Sequence, residues 1–175
     1  MTAQQIASYS TSEVLRDGRR IEIRALRPED RDGLLAAIRR ASSQSMFRRF
    51  FAAKRDFSNQ EIAFFLNIDF ATHVALVAVA EEGGRPAIVG GGRYIISDPG
   101  KAEVAFVIID EYQGQGIGSI LLRHLTAIAR NAGVKEFTAE ILPENRPMLK
   151  VFEKSRLDFT TTREPGVVHM VLRLS

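Results

Sequence analysis

An α/β (α+β) fold is what this 175-residue sequence predicts, on three observations. Apolar spacing changes from that of a strand to the 3.6-residue period of a helix across one glycine loop: residues 102–109 are rich in β-branched and aromatic side chains, whereas Ile117, Ile120, Leu121, Leu125 and Ile128 recur at helical spacing. Elsewhere, strand-like runs are separated by turn signals or by segments with helix starts. Length and an apolar content of 45% suit one domain with a full core.

Residues 1–18 have mixed polarity and no clear period, so they read as a loose N-terminal arm ending at the Asp17-Gly18 turn, with residues 19–175 as a single domain. Residues 20–26 alternate as a strand. Pro28, Glu29 and Asp30 signal a helix start, and Leu34, Leu35, Ile38 and Ala41 give that helix an apolar face ending near Ser42-Ser43. Met46, Phe47, Phe50 and Phe51, interleaved with Arg48 and Arg49, read as a core staple in preference to a substrate wall. Ser58 and Glu61 have capping-box spacing ahead of Ile62, Phe65 and Leu66, which predicts a short helix.

Residues 73–80 form a nearly continuous apolar strand, 81–85 a turn and 86–96 its hairpin partner. Gly90, Gly91 and Gly92 interrupt that partner, and suggest a bulge or a close backbone approach; a phosphate site is disfavoured because no helix start follows. Ser97-Asp98-Pro99-Gly100 turns the chain into the strand at 102–109. After the long helix comes Gly133 as its C-cap, then a strand at 136–142 and a helix from Pro147 to about residue 154. Residues 159–162 pair with 167–172 across Glu164-Pro165-Gly166.

Composition removes several classes of function. Without cysteine there is no disulfide, no zinc-thiolate site and no sulfur acyl-enzyme, so any acyl transfer is direct. The 24 basic and 21 acidic residues are too balanced to argue for nucleic acid, and the pairs Arg19-Arg20, Arg39-Arg40 and Arg48-Arg49 read as solvated faces. No apolar run reaches the roughly 18 residues of a membrane helix, and the N-terminus lacks a basic start and an apolar centre, so a cytoplasmic protein without membrane association is expected. The three histidines show no metal-ligand spacing: His124 reads as a satisfied core residue, His73 opens a strand and His169 faces solvent.

The loop Gln113-Gly114-Gln115-Gly116-Ile117-Gly118 carries the chemistry. Alternate glycines free the backbone to present N–H groups, and the following helix adds unpaired N–H groups and the positive end of its dipole, so the turn suits an anion such as pyrophosphate without a metal. It is neither a G-x-G-x-x-G dinucleotide fingerprint nor a G-x-x-x-x-G-K-[ST] P-loop. It fits [QR]-x-x-G-x-[GA], and so resembles the acyl-CoA pyrophosphate loop of the GNAT superfamily of N-acetyltransferases. From about residue 24 to 159 the chain further resembles the bacterial protein lysine acetyltransferases, through IRALRPEDRDGLL, SQSMFRRFF, HVALVAV, AEVAFVI and ENRPMLKVF.

That resemblance implies the GNAT fold, a mixed, mostly antiparallel central sheet flanked by helices and splayed at the acyl-CoA strand. It implies acetyl-CoA as co-substrate and no metal, with main-chain contacts to pantetheine from Val107, Ile108 and Ile109, an oxyanion donor near Val107, and pyrophosphate held by Gln113, Gly114, Gln115, Gly116, Ile117, Gly118 and Ser119. It implies Glu103 as general base; a carboxylate at a fraying strand end is the alternative. Asn145 matches a residue beside the pantetheine arm and fits a helix cap before Pro147 equally well. Phe152 replaces a tyrosine that protonates the thiolate in many small-molecule members, so the thiolate leaves unaided, takes a proton from water or uses Tyr112. Arg156 stands where a glycine usually ends the helix. The large second domain common in the branch does not fit this length. The implied acceptor is an exposed protein lysine, with AMP-forming acyl-CoA synthetases as candidates. A small amine acceptor and a non-catalytic acyl-CoA sensor remain the alternatives, and the oligomeric state is open.

Overall fold

The computed structural model describes residues 1–41 and 58–174. The expected helix stop at Ser42-Ser43 and the cluster of Met46, Phe47, Arg48, Arg49, Phe50 and Phe51 lie outside the described residues. Among the described residues thirteen α-helices and strands follow one another: α1 (Ala3–Ala7), β1 (Ser10–Val14), β2 (Arg20–Ala25), α2 (Arg31–Arg40), α3 (Asn59–Leu66), β3 (His73–Glu82), β4 (Arg85–Asp98), β5 (Lys101–Ile108), α4 (Ile117–Asn131), β6 (Glu136–Ile141), α5 (Arg146–Glu153), β7 (Asp158–Glu164) and β8 (Val167–Arg173). The strands form one sheet in the order β1-β2-β3-β4-β5-β6-β8-β7. Every pairing is antiparallel except β5 with β6. No helix of the described residues is long and apolar enough to cross a membrane.

Residues 1–18 are not a loose arm. Thr2 caps α1 with its hydroxyl while the Gln5 side chain returns to the Thr2 N–H, and β1 pairs along its length with β2 as the sheet's outer strand. The β1 sequence STSEV has no apolar face, so its place depends on edge hydrogen bonds and on Glu13, which holds Arg123 of α4 at 2.6 Å. His124 is satisfied from the same segment, its Nδ1 facing the Tyr9 hydroxyl and its Nε2 lying 3.4 Å from Glu13.

The Arg-Pro-Glu-Asp run has a structural cause. Arg24 on β2 forks onto both oxygens of Asp30 at 2.7 and 2.8 Å, and Asp30 also accepts the Arg27 N–H at 2.7 Å, which closes the chain reversal into α2. At α3 the expected capping box is present, with Ser58 accepting from the Glu61 N–H and Glu61 from the Ser58 N–H. Between β3 and β4 the register shifts at Ala78/Val79, so the bulge lies beside the triple glycine.

Helix α4 packs on β3, β4 and β5 with Ile117, Leu121, Leu125 and Ile128 buried. Each such side chain contributes roughly 1.5–3 kcal/mol of burial, so this face holds the glycine loop's helix firmly on the sheet. The helix ends at Ala132, and Gly133, with φ 86°, makes the left-handed step that follows.

Candidate active site

Strands β5 and β6 are paired only through Lys101–Glu136, Ala102–Phe137 and Glu103–Thr138. Beyond Glu103 they part, while β5 stays paired with β4 as far as Ile108. The splay therefore starts at Glu103 and leads to the glycine loop.

Gly114 (φ 77°) and Gly116 (φ 95°) take left-handed conformations that a side chain would strain. Gly116 is the N-cap of α4 and brings no side chain to compete for the helix's first N–H groups. Gly118 does something different: a Cβ there would lie 3.2 Å from Val151 and 3.4 Å from Met148, so its bareness lets α5 approach α4. Gln113 folds back so that its Nε2 donates to the Ile108 carbonyl at 3.1 Å.

These elements enclose a cleft of about 520 Å³. Of the residues expected to hold acyl-CoA, Ile108, Gln113, Gly114, Gly116, Ile117, Gly118, Ser119 and Asn145 line it; Val107, Ile109 and Gln115 do not. For the strand residues the reason is phase. Ile109 donates its N–H to the Val89 carbonyl at 3.0 Å, and main-chain direction alternates along an antiparallel strand, so Val107 also addresses β4. Main-chain groups in phase with Ile108, those of Phe106 among them, face the opening. Asn145 lines the cleft, and its Oδ1 caps α5 by accepting the Met148 N–H at 3.3 Å, as the cap reading expected.

Four cations in the cleft wall were not anticipated. Arg16 comes from the β1–β2 turn, and Arg146, Lys150 and Lys154 from α5 at successive four-residue steps, hence on one helix face. That spacing was visible in the sequence; nothing local pointed to Arg16. With the glycine loop, the start of α4 and these cations in one wall, the cleft suits a diphosphate ester. The residues present therefore fit the nucleotide end of acyl-CoA.

Glu103 is half-buried at the origin of the splay, opposite Ile95 on β4 and Thr138 on β6. On the same sheet face lies Arg93, which is 3% exposed and donates to the Phe65 carbonyl at the end of α3 and meets His73 Nε2, both at 3.0 Å. Burial, then the charge of Arg93, pushes His73 down to about 4, so its ring is neutral at pH 7, with Nε2 engaged by the Arg93 guanidinium. Phe152 is fully buried and meets Phe106 edge-on at 5.8 Å, a packing role with no proton to give. Tyr112 lines the cleft, but its hydroxyl donates to Glu82 at 3.1 Å, and burial and that bond push it up. Arg156 takes φ 65°, the left-handed conformation expected of the glycine it replaces.

A splayed β5–β6 pair, a glycine turn and a helix start at one end, and a carboxylate at the other define an acyl-CoA-dependent acyltransferase. The sequence pattern of the Acetyltransferase (GNAT) family matches residues 35–159, and the chain belongs to that family. It is 34% identical over 154 residues to Acetyltransferase PA5475 of Pseudomonas aeruginosa, covering 87% of this chain and 82% of that one. Acetyltransferase Pat of Mycolicibacterium smegmatis is 31% identical over 170 residues, 94% of this chain; this chain spans half of that protein's length. The crystal structure of the GNAT domain of S. lividans PAT superposes with a TM-score of 0.79 at 33% identity, over 94% of this chain and 96% of that domain. The protein is accordingly an acetyl-CoA-dependent acetyltransferase.

Proposed function

We propose that the acceptor is a protein lysine and that Glu103 is the general base. The observation that carries this reading is the position of Glu103, half-buried at the point where β5 leaves β6, five residues before the cleft-lining Ile108. At about 3.3 Å per residue that is roughly 17 Å along the strand, a span for an extended thioester arm reaching from the loop.

A lysine ammonium, with pKa about 10.4, must lose a proton before it attacks. Glu103 accepts that proton, the amine nitrogen bonds to the acetyl carbonyl carbon, and the carbon–sulfur bond breaks to release CoA thiolate while the nitrogen gives its second proton to water. Main-chain N–H groups on the open side of β5, those of Phe106 and Ile108, receive the carbonyl oxygen. With Phe152 unable to donate and the Tyr112 hydroxyl engaged by Glu82, water protonates the thiolate. The protein acceptor is supported by the segments that resemble bacterial protein lysine acetyltransferases, and AMP-forming acyl-CoA synthetases are the first candidates.

The test is thiol release from acetyl-CoA with a panel of acyl-CoA synthetases and of small amines, comparing native protein with Glu103→Gln across pH. Turnover that needs a synthetase and is lost in the mutant is expected. Turnover with small amines alone would overturn the lysine reading, and acetyl-CoA binding without turnover would favour a sensor.

A further inference from the structure

The β1–β2 turn is fastened to the glycine loop 98 residues later in the chain. The Arg16 guanidinium donates to the Gly114 carbonyl at 3.3 Å. Its main-chain N–H donates to the Gln115 carbonyl, also at 3.3 Å. Three residues on, the Arg19 guanidinium lies 4.4 Å from the centroid of the Tyr112 ring, just ahead of the loop. The turn that carries both arginines is itself fixed. Leu15 is buried, its N–H donates to the Arg19 carbonyl at 2.8 Å, and Asp17 accepts the Arg19 N–H at 3.0 Å and its Nε at 2.7 Å.

In a trans peptide plane the carbonyl and the N–H point in opposite directions. A donor that holds the carbonyls of Gly114 and Gln115 therefore also sets where the N–H groups of Gln115 and Gly116 point. The left-handed steps at Gly114 and Gly116 leave these planes free to rotate unless something fixes them. We propose that Arg16 is a positioning residue of the cofactor loop: it fixes the two peptide planes whose N–H groups receive the diphosphate of acyl-CoA, and sets its cation at the rim of the same cleft. The N-terminal hairpin is on this account a working part of the co-substrate site.

The proposal rests on the loop's taking CoA, and it does not depend on which amine is acetylated. Calorimetric titration with CoA, hydrogen exchange of the ligand-free protein and thermal unfolding on native protein, Arg16→Met and Arg16→Lys provide the test. In Arg16→Met the Kd for CoA is expected to rise about tenfold, with faster amide exchange confined to residues 113–118 and an unchanged unfolding midpoint. Arg16→Lys, which keeps the charge and loses the fork, is expected to recover part of the affinity. CoA affinity within twofold of native in Arg16→Met would overturn the proposal. So would a loss of affinity accompanied by a lower midpoint and faster exchange throughout the chain, which would mark Arg16 as a general folding contact. Failure of the native protein to bind CoA would instead remove the reading of the loop on which the proposal stands.

Discussion

The ring of Phe106 occupies the space that a side chain at Gly92 would need: a Cβ built there would lie 2.7 Å from the ring's Cδ1 and 3.0 Å from Leu125 Cδ1. Phe106 is fully buried with Phe152 edge-on against it, so the ring has nowhere to move. The triple glycine thus serves close packing between β4, β5 and α4. Gly92→Ala is expected to destabilise the protein by about 2 kcal/mol, the cost of overpacking a full core, and a urea midpoint lowered at constant slope would register it. A midpoint equal to the native one would mean that the ring yields.

Arg24 and Asp30 form the buried pair that turns the chain into α2, with side chains 11% and 10% exposed. Burial alone would raise the Asp30 carboxyl; the Arg24 fork and the Arg27 N–H outweigh it and hold the group below its ordinary value. A carboxylate depressed in the folded state contributes stability above its unfolded pKa of about 3.9, and loses it as pH falls through the lower folded value. Asp30→Asn is therefore expected to cost about 3 kcal/mol at pH 7, because it takes from the buried Arg24 its forked counter-charge and leaves only Glu22, 3.9 Å from its Nε. The mutant should also lose less on acidification below about pH 4 than the native protein does. Denaturation at pH 7 and at pH 3 checks both parts, and equal acid losses would contradict the second.

Much of this was legible before the fold was in view, for identifiable reasons. The change of period at Gln113–Gly118, the Ser58–Glu61 cap and the hairpin at Glu164-Pro165-Gly166 are local signals, and the structure places each where it was read. What escaped depends on partners distant in sequence. β1 is polar on both faces and is recognisable only once β2 lies beside it, although the Thr2-x-x-Gln5 spacing ahead of it had the form of a cap. The phase of Val107 follows from the β4–β5 register, which its own side chain does not encode. Arg16 reads as a turn residue until topology sets the turn against Gly114.

Arg156, at φ 65°, has a conformation that costs an L-residue roughly 1–2 kcal/mol, of which a glycine regains part after its own greater entropy loss. Arg156→Gly is thus expected to stabilise the protein by about 0.5–1 kcal/mol. Its effect on acetyl-CoA binding should be nil, because Arg156 is absent from the cleft wall. Thermal unfolding and CoA titration of the variant give the two readings together, and a lower midpoint would show that the guanidinium does something the backbone geometry does not reveal.

Lys150 and Lys154 stand on the α5 face that also carries Arg146, all three in the cleft wall and none ion-paired among the described residues. Cations beside a glycine loop raise the local concentration of anions and lose that effect as salt screens them. Replacing both lysines by alanine is expected to raise the Kd for CoA about tenfold, or about 1.4 kcal/mol, and to flatten its dependence on ionic strength. The maximal rate at saturating acetyl-CoA should not change, since neither residue lies near Glu103 at the other end of the splay. A fall in that rate with CoA affinity intact would instead put α5 in the path of the acceptor, and would move the lysines from co-substrate binding to recognition of the incoming amine.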